Sequence, residues 1–214
     1  MKFSAVIFDL DGTLVDTETL LEESNKQLCA KYGKTYDPPA FRARAMAHPE
    51  PEYTALLKEV CGLPGAVEEL VKERRDFYFK AQDERGIKFK PGAEKLLQAL
   101  KARGLRLALA TSSDRIMLNR VLEKMSLTKT FDVVVDASQI AHGKPAPDIY
   151  LETARQLKVK PAECMAIDDA PSGIVSAKAA GMYVIGLLDR RYAKELPGAD
   201  RVVESLEEVS GLSF

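Results

Sequence analysis

The 214-residue chain is long enough for one large domain, or for a core with a smaller insert, and its 46% hydrophobic and 29% charged residues lie near globular averages. Its 31 basic and 32 acidic residues leave a formal net charge of -1, so there is no overall basic field for nucleic acid or an anionic membrane, and an anionic ligand must be met by a local site. The three cysteines, Cys29, Cys61 and Cys164, form no CxxC or Cys/His cluster, and no apolar stretch approaches the ~20 residues of a membrane span, which together predict a cytoplasmic protein without zinc or a disulfide framework.

The first element is the most informative. Phe3 to Phe8 has strand composition and ends in Asp9-Leu10-Asp11-Gly12-Thr13. Asp and Gly are ordinary turn residues, so this stretch reads either as a plain strand-to-helix turn or as a site. Alternate side chains of an extended chain share a face, so Asp9 and Asp11 can point into one cleft beyond the sheet, where a divalent cation would relieve their repulsion. The apolar start is also broken there before it could form a signal-peptide core.

Next, Thr17 to about Tyr32 reads as a helix with Leu20, Leu21, Leu28 and Cys29 on one stripe and Gly33 as its stop. From Pro38 to about Asp83 the pattern stays helical, interrupted by prolines and by Gly62-Leu63-Pro64-Gly65, with no strand-like run. That predicts a small all-helical unit. After Gly92 the rhythm changes to helix Ala93–Arg103, strand Leu105–Ala110, a helix to about Met125, strand Phe131–Val135, and helix Pro147–Leu157. Strand Cys164–Ile167, helix Ser172–Ala180 and strand Met182–Leu187 follow, with a short edge strand near Ala199–Val203 and a closing helix from Ser205. Such alternation predicts an α/β fold whose parallel sheet is covered on both faces, with the helical unit inserted after the first strand.

In open parallel sheets ligands bind outside the carboxyl ends of the strands. Those ends carry Asp9 and Asp11, then Thr111-Ser112-Ser113, then Asp168-Asp169, and the loop His142-Gly143-Lys144-Pro145 adds a lysine. Separately, the serines and the aspartate pair can be helix caps and Lys144 a solvated loop residue. Together they fit phosphate monoester hydrolysis. Asp9 would be the nucleophile and Asp11 the acid and base; Thr111, Ser112, Ser113 and Lys144 would grip the phosphoryl oxygens. Asp9, the Asp11 carbonyl, Asp168 and Asp169 would hold Mg2+.

Asp9-Leu10-Asp11-Gly12-Thr13, Thr111 after an apolar strand, Gly143-Lys144-Pro145 and Asp168-Asp169 resemble the four ordered motifs of the haloacid dehalogenase-like hydrolase superfamily. Asp168-Asp169-Ala170-Pro171-Ser172-Gly173-Ile174, with a helical insert after the first motif, is similar to the branch of beta-phosphoglucomutase and phosphoglycolate phosphatase. The resemblance implies a Rossmann-like core over residues 1–16 and 89–214, a mobile helical cap over 17–88, Mg2+ dependence, and the residue roles just given. It also implies a small phosphorylated metabolite as partner, and the expected protein is a monomer.

Dehalogenases of the superfamily lack the second aspartate, and the phosphonatases replace it, so Asp11 argues against both. Mutases carry a cap histidine where this chain has Leu21, which favours transfer to water and a phosphatase, with a phosphosugar mutase as the alternative. A retired hydrolase core acting only in binding would be expected to have lost Asp9, Asp11 or Lys144, and all three are present. The stretch Phe41–Tyr53 lies where related enzymes place their substrate-reading loop. Its cap candidates are His48, which reads as a substrate contact or as an exposed structural histidine, and Glu50.

Overall fold

The computed structural model describes residues 3–38, 41, 45, 50–192 and 195–211. Six strands, β1 (Ala5–Phe8), β2 (Arg106–Ala110), β3 (Val133–Val135), β4 (Cys164–Asp168), β5 (Tyr183–Leu187) and β6 (Arg201–Val203), form one parallel sheet in the order β3-β2-β1-β4-β5-β6. The eight α-helices among the described residues are α1 (Glu18–Lys31), α2 (Glu50–Cys61), α3 (Val67–Arg85), α4 (Ala93–Ala102), α5 (Arg115–Lys124), α6 (Asp148–Leu157), α7 (Pro171–Ala179) and α8 (Leu206–Ser210). None is long and apolar enough to cross a membrane.

The chain falls into two compact units, Met1–Val15 with Phe89–Phe214, and Asp16–Lys88. The first is the Rossmann-type α/β body. Its strand order runs outward from β1 to β3 on one side and from β4 to β6 on the other, so the direction of winding reverses between β1 and β4. Side-chain alternation sorts the core. Ala5 and Ile7 of β1, Ala108 and Ala110 of β2, and Cys164 and Ala166 of β4 pack with Ile149, Tyr150 and Ala154 of α6 and Ile174 and Ala177 of α7. The intervening Val6, Phe8, Leu107, Leu109, Met165 and Ile167 are equally buried and point to the opposite face. Small residues dominate the first face, and α6 and α7 lie against it.

That parity decides where the acids fall. Asp9 follows Ala5 and Ile7 by steps of two, and Asp168 follows Cys164 and Ala166 in the same way. The register pairs Phe8 with Ile167, and the Asp9 amide donates to the Ile167 carbonyl at 2.9 Å, so Asp9 and Asp168 emerge side by side at the reversal.

The second unit is helical. Leu28, Cys29, Phe41, Ala45, Leu57, Leu63 and Leu70 form its core, and Phe41 meets the rings of Tyr36 and Tyr53 edge-on at 5.8 and 4.8 Å between centroids. Of the stripe predicted on the first helix, Leu20, Leu28 and Cys29 are buried and Leu21 is half-buried. The third predicted strand is shorter than expected because the Asp132 carboxylate accepts from the Leu107 amide, at 2.8 Å, ahead of the first ladder pair.

Candidate active site

The loop after β1 is folded tightly enough to present both of its aspartates. Leu14 and Val15 donate to the Leu10 carbonyl, and the Gly12 amide donates to the Val15 carbonyl at 2.8 Å. Gly12 has φ +83, and a Cβ there would lie 2.7–2.9 Å from the Asp169 carboxylate, so both backbone and space demand glycine. The next residue closes the loop onto β4, because the Thr13 hydroxyl donates to Asp169 Oδ1 at 2.9 Å.

Lys144 stands between the two buried aspartates. Its ammonium donates to Asp9 Oδ1 and to Asp168 Oδ2, each at 2.7 Å, and all three side chains are buried. Burial pushes the Asp9 carboxyl well above the usual carboxylate range; Lys144 opposes that shift and the neighbouring Asp168 and Asp169 add to it. Burial also works against the Lys144 ammonium, but Asp168 and Asp9 outweigh it and hold its pKa well above the ordinary lysine value. The ammonium therefore stays charged.

Asp9, Asp168 and Asp169 each offer a carboxylate oxygen within 4.8 Å of the other two. Three carboxylates facing one ammonium leave an excess of negative charge, and the donors are hard oxygens. That set fits a small hard dication such as Mg2+.

One residue beyond β2, Thr111 is buried and its amide donates to the Val135 carbonyl. The Thr111 hydroxyl accepts from the Ser113 amide at 3.1 Å. The cap of α5 is Asp114, whose Oδ1 accepts from the amides of Ile116 and Met117, so the serines are released from the capping role that a sequence allows them. Ser113 uses its hydroxyl differently from expectation: it donates to Asp11 Oδ2 at 2.6 Å, while Ser112 lies half-buried beside it.

The structure thus brings Asp9, Lys144, Asp168 and Asp169 into one cluster, and joins Asp11, Ser113 and Thr111 in a second hydrogen-bonded set that starts two residues further along the same loop. Of the cap candidates, Glu50 has both carboxylate oxygens engaged within the helical unit, by Arg74 at 2.9 Å and by Arg75, and His48 lies outside the described residues. Sequence reasoning missed Tyr150. It is fully buried on α6, and its hydroxyl donates to Asp168 Oδ2 at 2.6 Å. The available signal was a phenol at a core position of a helix, where a hydroxyl needs a partner.

A model of the haloacid dehalogenase-like hydrolases matches residues 3–181. The chain belongs to this family. Membership makes it a hydrolase, and the relatives named here are phosphoric monoester hydrolases. One is the phosphorylated carbohydrates phosphatase of Thermotoga maritima, 36% identical, with the match covering 83% of this chain and 82% of that one. Another is the bifunctional riboflavin kinase/FMN phosphatase of Arabidopsis thaliana, 34% identical over 96% of this chain; this hydrolase spans only 54% of the length of that relative. Among solved structures, CbbY from Rhodobacter sphaeroides in complex with phosphate superimposes with a TM-score of 0.86 at 27% identity, covering 97% of this chain and 96% of that one. A putative beta-phosphoglucomutase from Thermotoga maritima superimposes with a TM-score of 0.80 at 33% identity, covering 98% of this chain and 97% of that one, and this hydrolase joins that branch of the family.

Proposed function

We propose that the chain is a Mg2+-dependent phosphatase of small phosphate monoesters, phosphorylated carbohydrates foremost, working through a phosphoryl group carried on Asp9. The observation that carries this reading is the buried Asp9–Lys144–Asp168 contact beside Asp169, with Asp11 two residues from the nucleophile. The relative that acts on phosphorylated carbohydrates supports the substrate class.

An Asp9 carboxylate oxygen attacks phosphorus in line with the ester oxygen; the new P–O bond forms as the bond to the leaving oxygen breaks. Asp11 gives that oxygen its proton and afterwards takes one from the water that attacks the same phosphorus and releases Asp9. Ser113 holds the Asp11 carboxylate from its loop at 2.6 Å, which fixes the direction of both transfers. Lys144 and Thr111 supply donors to the phosphoryl oxygens, where charge builds up in the transition state. Asp9, the Asp11 main-chain carbonyl, Asp168 and Asp169 would hold Mg2+, which offsets the charge of nucleophile and phosphate when bound. Selectivity for the rest of the substrate is assigned to the helical unit, residues 16–88.

The test is phosphate release from sugar, polyol, nucleotide and glycolate phosphates with Mg2+, run beside beta-glucose 1-phosphate with its bisphosphate activator. A phosphatase releases phosphate from one small monoester, and Asp9→Asn abolishes that turnover with the fold intact. Conversion to glucose 6-phosphate without release would replace this reading by a mutase.

A further inference from the structure

Asp168 is held by three protein donors. Its Oδ1 accepts from the Ala170 amide at 2.9 Å, and its Oδ2 accepts both the Lys144 ammonium at 2.7 Å and the Tyr150 hydroxyl at 2.6 Å. The same tyrosine presents its ring to the lysine, whose Nζ lies 5.2 Å from the ring centroid. Packing alone asks only for the ring, since phenylalanine would fill the site between α6 and the sheet. The hydroxyl therefore serves the polar cluster.

Lys144 is shared between Asp9 and Asp168, and in the reaction proposed above it must also reach phosphoryl oxygens once Asp9 becomes esterified. A buried carboxylate whose second oxygen depended on Lys144 alone would be uncovered by that movement, and uncovering it is costly. With Tyr150 present, Asp168 Oδ2 keeps a neutral donor wherever the ammonium goes, and the ring offers the ammonium a face during the exchange. We propose that Tyr150 is a positioning residue that keeps Asp168 satisfied and so lets Lys144 turn from the aspartates to the transferring phosphoryl group. This role rests on the phosphatase reading.

Tyr150→Phe keeps the ring and removes the donor. Its kcat on the best monoester of the panel is expected to fall about tenfold, one hydrogen bond's worth of transition-state stabilisation, with KM moved less than about twofold. Calorimetry of the substrate-free variant is expected to show Mg2+ bound several-fold more tightly, because an Asp168 oxygen has lost a competing donor. Placing 4-aminophenylalanine at position 150 restores a donor and should recover most of the kcat. A kcat equal to that of the unmodified enzyme, a loss confined to KM, or a loss that the amino group does not rescue would each overturn the proposal. If the unmodified chain releases no phosphate from any ester, the phosphatase reading falls by itself. The Mg2+ arm still decides Tyr150, since unchanged affinity in Tyr150→Phe refutes its hold on Asp168.

Discussion

Replacing Gly173 by alanine should destabilise this protein although the position lies in a helix, where alanine is favoured by about 1 kcal/mol. Gly173 sits in the first turn of α7, and a Cβ built there falls well inside van der Waals contact distance of Cγ and both oxygens of the Asp168 carboxylate. That carboxylate is not the loose end of a flexible chain. It is fixed by Lys144, Tyr150 and the Ala170 amide at 2.7, 2.6 and 2.9 Å, so relief of the overlap must break those bonds or lift the start of α7 from the sheet. All three donors meet a charged carboxylate, so losing even two of these bonds at about 1.5–3 kcal/mol each, less the helix gain of about 1 kcal/mol, leaves a net loss of about 2–5 kcal/mol. Urea unfolding in chelated buffer should show a lower midpoint with an unchanged slope, and turnover should fall at least about tenfold as Asp168 is displaced. A Gly173→Ala protein as stable and as active as the original would refute the reading that Asp168 is locked from three sides.

Lys144→Met leaves the aspartate cluster without its cation and should cost about 3–5 kcal/mol in chelated buffer. Added Mg2+ should raise its urea midpoint more than it raises that of the original protein, and equal increments would contradict the shared-cation argument. Ser113→Ala is expected to lower kcat about tenfold with little change in KM, and Ser113→Thr to restore it; a loss expressed in KM would return Ser113 to phosphate binding. Burial opposes the Asp189 carboxylate, but hydrogen bonds from Arg191 and Lys90 hold its pKa well below the usual range. Its contribution is therefore complete above the unfolded carboxylate value near pH ~4 and is lost as pH falls below it. Urea midpoints measured between about pH 3 and 6 should fall less steeply with acid in Asp189→Asn than in the original.

The acids were legible in the sequence because strands have a period of two and end abruptly. Asp9 and Asp168 terminate apolar runs, and a parallel sheet gathers such ends on one edge. Lys144 was legible from its place between two of those strands. What its ammonium touches was not, since that depends on the α6 and α7 loops converging on β4. Tyr150 escaped notice because Ile149, Tyr150, Ala154 and Leu157 make an unremarkable buried helix face, and only the three-dimensional register sets a hydroxyl on Asp168. Ser113 was seen, but the direction of its hydrogen bond follows from Asp114 taking over the cap. Near the carboxyl terminus, the short edge strand expected near Ala199–Val203 is β6, three residues with Val202 exposed. Asp200, just before it, accepts from the Val184 amide and from Lys178, contacts the pattern did not carry.

The helical unit leaves and rejoins the sheet body through paired backbone. Val15 bridges Phe89 in antiparallel fashion, Lys90 donates to the Leu14 carbonyl at 2.9 Å, and the Asp16 amide donates to the Lys88 carbonyl at 2.8 Å. An excursion whose two ends are already fastened together adds only a logarithmic closure entropy as it lengthens, so the length of the insert weighs little on the sheet. For a designer, that junction is the splice point: an insert of another length would enter and leave through the same backbone pairs, Val15 with Phe89 and Asp16 with Lys88.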